Sequence, residues 1–154
     1  MIPEDCPAPK GNPVILTSYV DANLCHDRLT GRSVTGIIHI ANQTVIDYFM
    51  KKQPTVETAT YGSEFMAARA GATEQILDLQ LTLHYLGIPI EGCTYLFGDN
   101  KTVVDSCSLP KKARLHKQHV LLSFHQVHKA VASNVLAFIH IPGVINPADV
   151  LSKH

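Results

Sequence analysis

No apolar run in this chain approaches the roughly 20 residues that a membrane-crossing helix requires, which excludes a helical membrane protein. No signal-peptide pattern precedes the first strand-like run either, so a cytoplasmic setting is the expectation. Net charge is also missing: 13 basic residues balance 13 acidic ones. Without a global positive field, any polyanion must be gathered by a local patch. Cys6, Cys25, Cys93 and Cys107 show no CxxC spacing, and free thiols in a reducing compartment are expected. The nine histidines offer neither HExxH nor paired Cys/His spacing, which argues against zinc. There is no internal repeat. Low complexity is confined to the proline-rich start MIPEDCPAPKGNP, read as a linker or excised segment over residues 1–13. What remains is a chain of 154 residues, 45% hydrophobic and 17% charged, enough for one domain with its own core.

Periodicity supplies the elements. Residues 14–20 (VILTSYV) form a β-type run ending on Asp21, and residues 33–40 read as a second strand. Asn42-Gln43 marks a tight turn into residues 44–49, where apolar and polar positions alternate. Short connections between three successive strands predict antiparallel pairing. From residue 58 to 86 the period changes: Phe65, Ala68, Ala72, Ile76, Leu79, Leu83 and Leu86 form the stripe of one long amphipathic helix, ended by Gly87 and Pro89. Residues 94–98 are a fourth strand ending on Asp99, followed by a short helix over 101–107. Val120, Phe124, Val127 and Val131 mark another helix, and residues 135–141 a fifth strand. Asn146 as N-cap and Pro147 at the first helical position open a last, short helix. The order β-β-β-α-β-α-α-β-α predicts an α/β domain over residues 14–154: a five-stranded mixed sheet, its first three strands antiparallel, flanked by helices.

Four acids stand at the ends of strands or near the starts of helices: Asp21, Glu64, Asp99 and Asp149. Taken singly, each has an ordinary reading. Asp149 suits the positive end of a helix, a gain of about 0.3–1 kcal/mol. Asp21 and Asp99 suit turns, and Glu64 a helix surface. Taken together, strand-terminal acids brought beside a helix glutamate would repel one another unless a cation bound them. Oxygen ligands without Cys or His favour Mg²⁺ or Mn²⁺. Two such ions about 3.5–4 Å apart are suited to phosphodiester hydrolysis. The one basic cluster, Lys111, Lys112, Arg114, His116 and Lys117, reads either as a solvated loop or as a backbone-tracking patch.

These motifs, in this order, resemble the ribonuclease H domain of copia-type LTR retrotransposon polyproteins. The resemblance is carried by SYVDAN, TGRSVTG, KKQPTVETATYGSEFMAA, LFGDN, LHKQHVLLSFHQVHKA and FIHIPGVINPADVLSK, and it runs from about Val14 to the C-terminus. It implies a ribonuclease H-like fold that hydrolyses the RNA strand of RNA–DNA hybrids, leaving 3′-hydroxyl and 5′-phosphate ends. It implies two Mg²⁺ ions, replaceable by Mn²⁺, held by Asp21, Glu64, Asp99 and Asp149. Asp21 would contact both ions, Glu64 and Asp99 the ion on the leaving-group side, and Asp149 the ion on the nucleophile side. His140 resembles the histidine that assists product release, against the ordinary reading of a strand-end histidine.

The resemblance also implies that Asn100, just after Asp99, reads the 2′-hydroxyl, the group that separates RNA from DNA, with Asn23, just past Asp21, a further candidate. Thr58 and Thr60 are candidates for holding a phosphate at helix amides or for ordinary capping. Lys112, Arg114 and Lys117 would follow the nucleic-acid backbone. The implied partners are an RNA–DNA hybrid and the reverse transcriptase of the same polyprotein, inside retrotransposon particles, with the isolated domain a monomer. The alternative from another class is a non-catalytic domain that scaffolds a reverse transcriptase or binds hybrid. Acids at all four positions stand against it.

Overall fold

The structure, a computed structural model, describes residues 4–108 and 118–153. Its strands are β1 (Leu16–Asn23), β2 (Val34–Ala41), β3 (Thr44–Lys52), β4 (Thr94–Gly98) and β5 (Leu136–His140). Its α-helices are α1 (Thr60–Arg69), α2 (Ile76–Tyr85), α3 (Lys101–Ser108), α4 (Gln118–Ala132) and α5 (Asp149–Ser152). The strands form one sheet in the order β3-β2-β1-β4-β5. β1, β2 and β3 pair antiparallel, and β4 joins β1 and β5 in parallel. This is the mixed five-stranded sheet that the element order predicts. Asn42 makes the tight β2–β3 turn at φ 55°, a left-handed conformation asparagine tolerates.

Strand alternation sends Val20, Ile37, Leu96, Leu136 and Phe138 to one face, where they are buried against Phe65, Ile76, Val103, Phe124 and Val127 of the helices. On the opposite face Tyr19 stacks on Phe97, with ring centroids 5.1 Å apart. That face also receives α5. A Cβ on Gly36 would lie 2.9 Å from the Ala148 carbonyl oxygen and from Leu151 Cβ, and 3.1 Å from Ser152 N. Glycine is therefore what lets α5 lie on the sheet. Gly36→Ala is expected to destabilise the fold by about 1–3 kcal/mol through overpacking. In a thermal melt, the midpoint should drop by several degrees.

Three sequence expectations are corrected. The predicted single helix over residues 58–86 is interrupted by a π-helical stretch, Ala70–Gln75, between α1 and α2. The apolar stripe persists across it: Phe65, Ala68, Ile76 and Leu83 are buried, and Leu86, the C-cap beyond α2, is 65% exposed. Asp21 does not end its strand, because pairing with β2 continues through Asn23↔Val34. Nor does the last helix open at Asn146–Pro147. A 3₁₀ turn spans Gly143–Ile145, and α5 begins at Asp149. Asn146 keeps extended backbone angles and still caps the turn, Oδ1 accepting from Ala148 N (3.1 Å) and its carbonyl from Asp149 N (3.2 Å), while Nδ2 donates to the Val20 carbonyl (2.9 Å). Of the start of the chain, Lys10 N donates to the Gly87 carbonyl (2.6 Å) and Val14 N to that of Pro89 (2.9 Å), so this stretch lies along the end of α2.

Candidate active site

The register of β1 against β4 builds the site. Tyr19 is paired with Phe97, and beyond that pair β4 ends at Gly98 while β1 continues with β2 alone. Asp21 and Asp99 each lie two residues beyond this pair, at the gap where the parallel neighbour leaves off. Glu64, in the second turn of α1, completes the group: one carboxylate oxygen from each of Asp21, Glu64 and Asp99 lies within 4.8 Å of the others. Asp21 and Glu64 are buried, 4% and 6% exposed.

Three acids at this spacing disfavour one another's charge. Burial pushes the Glu64 carboxyl up to about 9, helped by Asp21 and Asp99 and opposed by a hydrogen bond from the Ala22 backbone. Burial and Asp21 likewise raise Asp99, with Asp149 adding to the effect. The set is hard, oxygen-only and crowded with like charge, which fits Mg²⁺ or Mn²⁺.

Asp149 stands beside this trio rather than within it. Its side chain is 33% exposed and pairs with Lys153 at 2.5 Å. That pairing raises the Lys153 ammonium, with Asp21 and Asp99 contributing from farther away. Ser152, fully buried, donates its hydroxyl to Asp21 Oδ2. The turn of α5 thus engages the site through a hydroxyl and an ammonium that sequence reasoning missed. The signal for Lys153 was its spacing four residues after Asp149, which puts the two on one helix face. Ser152 carried no comparable signal.

His140, the last residue of β5, is exposed, and its Nε2 lies 3.1 Å from the Asp99 carbonyl oxygen. This contact puts the ring proton on Nε2. Gly143 closes the same side: a Cβ there would lie 3.0 Å from Asp99 Oδ2.

The substrate candidates are placed less uniformly. Asn23 meets His26, Nδ2 to Nδ1 at 3.0 Å. Asn100 caps α3, its Oδ1 accepting from Val103 N at 3.3 Å and its carbonyl from Val104 N at 3.1 Å. Thr58 and Thr60 are exposed at the start of α1, whose N-cap is Ala59 with no side-chain hydrogen bond, so neither threonine caps the helix. Lys112, Arg114 and Lys117 lie outside the described residues.

No family model matches the chain. Among curated proteins it is 28% identical over 151 residues to the retrovirus-related Pol polyprotein from transposon TNT 1-94 of Nicotiana tabacum, covering 97% of this chain and 11% of that protein. It is 26% identical over 144 residues to the Pol polyprotein from transposon RE2 of Arabidopsis thaliana, covering 94% and 10%. The chain therefore spans about a tenth of the length of these relatives.

Among solved structures it superposes on the ribonuclease H1 of Halobacterium salinarum NRC-1 with a TM-score of 0.66 at 14% identity, covering 90% of this chain and 94% of that one. LC11-RNase H1, solved with an RNA/DNA hybrid, gives 0.62 at 17%, covering 88% and 92%. The foamy viral protease-reverse transcriptase, also solved with an RNA/DNA hybrid, gives 0.60 at 15%, covering 99% of this chain and 22% of that one. The chain has a ribonuclease H fold and is related in sequence to a segment of the Pol polyproteins of plant copia-type retrotransposons.

Proposed function

We propose that this chain is a metal-dependent endoribonuclease that hydrolyses the RNA strand of RNA–DNA hybrids during reverse transcription. The observation that carries the reading is the convergence of Asp21, Glu64 and Asp99 within 4.8 Å, two of them buried. These three, with Asp149, would hold two divalent cations, Mg²⁺ with Mn²⁺ as substitute. When bound, such ions lower the pKa of water and neutralise charge developing on the phosphodiester.

The protein's part is to order its carboxylates and to release protons. Glu64 must give up the proton it keeps at neutral pH before it can act as a ligand. Asp149 must be freed from Lys153. Both partners are partly exposed, and an exposed pair is worth about 0–1 kcal/mol, so the exchange is cheap. Once released, Lys153 is a cation at the rim of the site, available to a phosphate. His140, exposed and in contact with the Asp99 carbonyl, would assist departure of product. Asn23 is assigned to the ribose of the RNA strand, and Asn100 only through the part of its amide not used as a cap. Thr58 and Thr60, exposed at the start of α1, would hold a backbone phosphate at the helix N-terminus. Lys112, Arg114 and Lys117 would supply the backbone grip that a neutral chain otherwise lacks. The domain is assigned to work beside the reverse transcriptase of its polyprotein, in retrotransposon particles, and as a monomer when isolated.

The test is incubation of the purified chain with strand-labelled RNA–DNA hybrid at low salt, in Mg²⁺ and in Mn²⁺. Cleavage confined to the RNA strand, with 5′-phosphate products, is expected. Hybrid that is bound but left whole in both metals, with the reverse transcriptase segment added as well as without it, would instead establish a non-catalytic binding domain.

A further inference from the structure

The QPTVE stretch ahead of α1 holds two buried polar side chains that the proposed reaction does not use. Gln53, 4% exposed, donates from Nε2 to Thr35 Oγ1 (3.0 Å) and to the Ser63 carbonyl (2.8 Å). Glu57 is 2% exposed, and its Oε1 accepts from Thr55 Oγ1 at 3.3 Å. Cys25 Sγ, 3.9 Å from the Glu57 carbonyl oxygen, ties the same residue to the β1–β2 loop. The Glu57 carboxylate lies against Gly62 in the first turn of α1. A Cβ at residue 62 would collide with Oε2 and lie 3.0 Å from Cδ. The helix has no side-chain cap of its own, because Ala59 holds the N-cap position. A carboxylate at that turn answers the positive end of the helix.

We propose that Glu57 is a positioning residue for the metal site. Seated on Gly62, with Gln53 holding Ser63, it fixes the first turn of α1 and so the direction from which Glu64 meets Asp21 and Asp99. The inference rests on the proposed reading of the acid cluster as a cation site. It explains why a buried acid and a glycine occur together in ETATYG.

The test uses the whole chain and Mn²⁺ alone as the probe, with binding followed by calorimetry and the thermal midpoint recorded for each variant. Glu57→Ala and Gly62→Ala are expected to weaken Mn²⁺ binding about 10-fold or more, the scale typical of groups that orient metal ligands. Glu57→Gln keeps the shape and an acceptor oxygen, and should recover most of that loss. With hybrid, kcat should drop in Glu57→Ala and Gly62→Ala and recover in Glu57→Gln. Should Glu57→Ala fail to fold, Gly62→Ala and Glu57→Gln carry the comparison. Mn²⁺ affinities of folded Glu57→Ala or Gly62→Ala within twofold of the parent would overturn the proposal. A parent that binds Mn²⁺ yet leaves hybrid whole would remove the proposed reaction, and the Mn²⁺ comparison would still decide the role of Glu57. A parent that binds no Mn²⁺ would overturn both.

Discussion

Asp21→Asn is expected to abolish RNA-strand cleavage while making the cation-free protein more stable. The two effects have one cause. Asp21 is 4% exposed and faces both Glu64 and Asp99, and it raises the pKa of each. Replacing its charge with an amide of the same shape relieves that repulsion. The amide oxygen can still accept from Ser152, which now donates to Oδ2 and ties α5 to β1. The packing is therefore kept while the charge is lost. For binding a cation the same change removes a ligand outright, so the activity loss should exceed the roughly 10–100-fold typical of outer supporting groups. Opposite signs for stability and activity are a mark of a site held together under strain. A variant that lost activity and stability together would show Asp21 to be a structural residue. Cleavage rates and melts in chelator, run side by side, make the distinction.

Most of this arrangement was legible because strands and acids obey short-range rules. Period-two runs and brief connections gave three antiparallel strands, and apolar runs ending near Asp21 and Asp99 pointed to a common sheet end. Sequence could not reveal that β4 stops pairing with β1 at Tyr19↔Phe97, because register is decided by the partner strand. The π-helical stretch Ala70–Gln75 was hidden for a similar reason. Apolar positions recur every three or four residues on either side of it, so periodicity alone does not betray the interruption. Asn146 has the identity of a cap and holds the Ala148 amide, but its Nδ2 also stitches this segment to Val20, which no local signal announces. Asn100, proposed for substrate contact, also caps α3 through its Oδ1. Ser152 and Lys153 were invisible as site residues because their role depends on α5 lying over Gly36, a contact between residues more than a hundred positions apart.

The second large effect is on stability against pH. Glu64 titrates at about 9 in the folded chain against an ordinary 4.5, burial being the main cause. Between those values the native state keeps a proton that the unfolded chain has released. The stability this group contributes is thus fully present below about pH 4.5 and is lost as pH rises toward about 9. Other groups limit where this can be read. Burial lowers His39, so its neutral form supports the fold above the usual histidine range and that support fades in acid, opposite in sign to Glu64. Asp27, lowered chiefly by Lys52, likewise matters only in acid. Cys107, pushed up to about 12 by burial, costs stability only once unfolded thiols ionise above about pH 8.5. Between pH 7 and 8.5 Glu64 dominates, and the cation-free chain should lose about 2 kcal/mol, at about 1.4 per pH unit. The corresponding drop in thermal midpoint is roughly 4–8 °C for a domain of this size.

Saturating Mn²⁺ should reverse the trend. The bound form requires Glu64 ionised, so binding strengthens as pH rises and stabilises the fold by mass action. Glu64→Gln should be flat across the same interval and indifferent to the metal. If the parent in chelator melts at one temperature from pH 7 to 8.5, Glu64 is already ionised there and water reaches it. The acid cluster would then need no cation to relieve it, and the physical case for a metal site would rest on proximity alone.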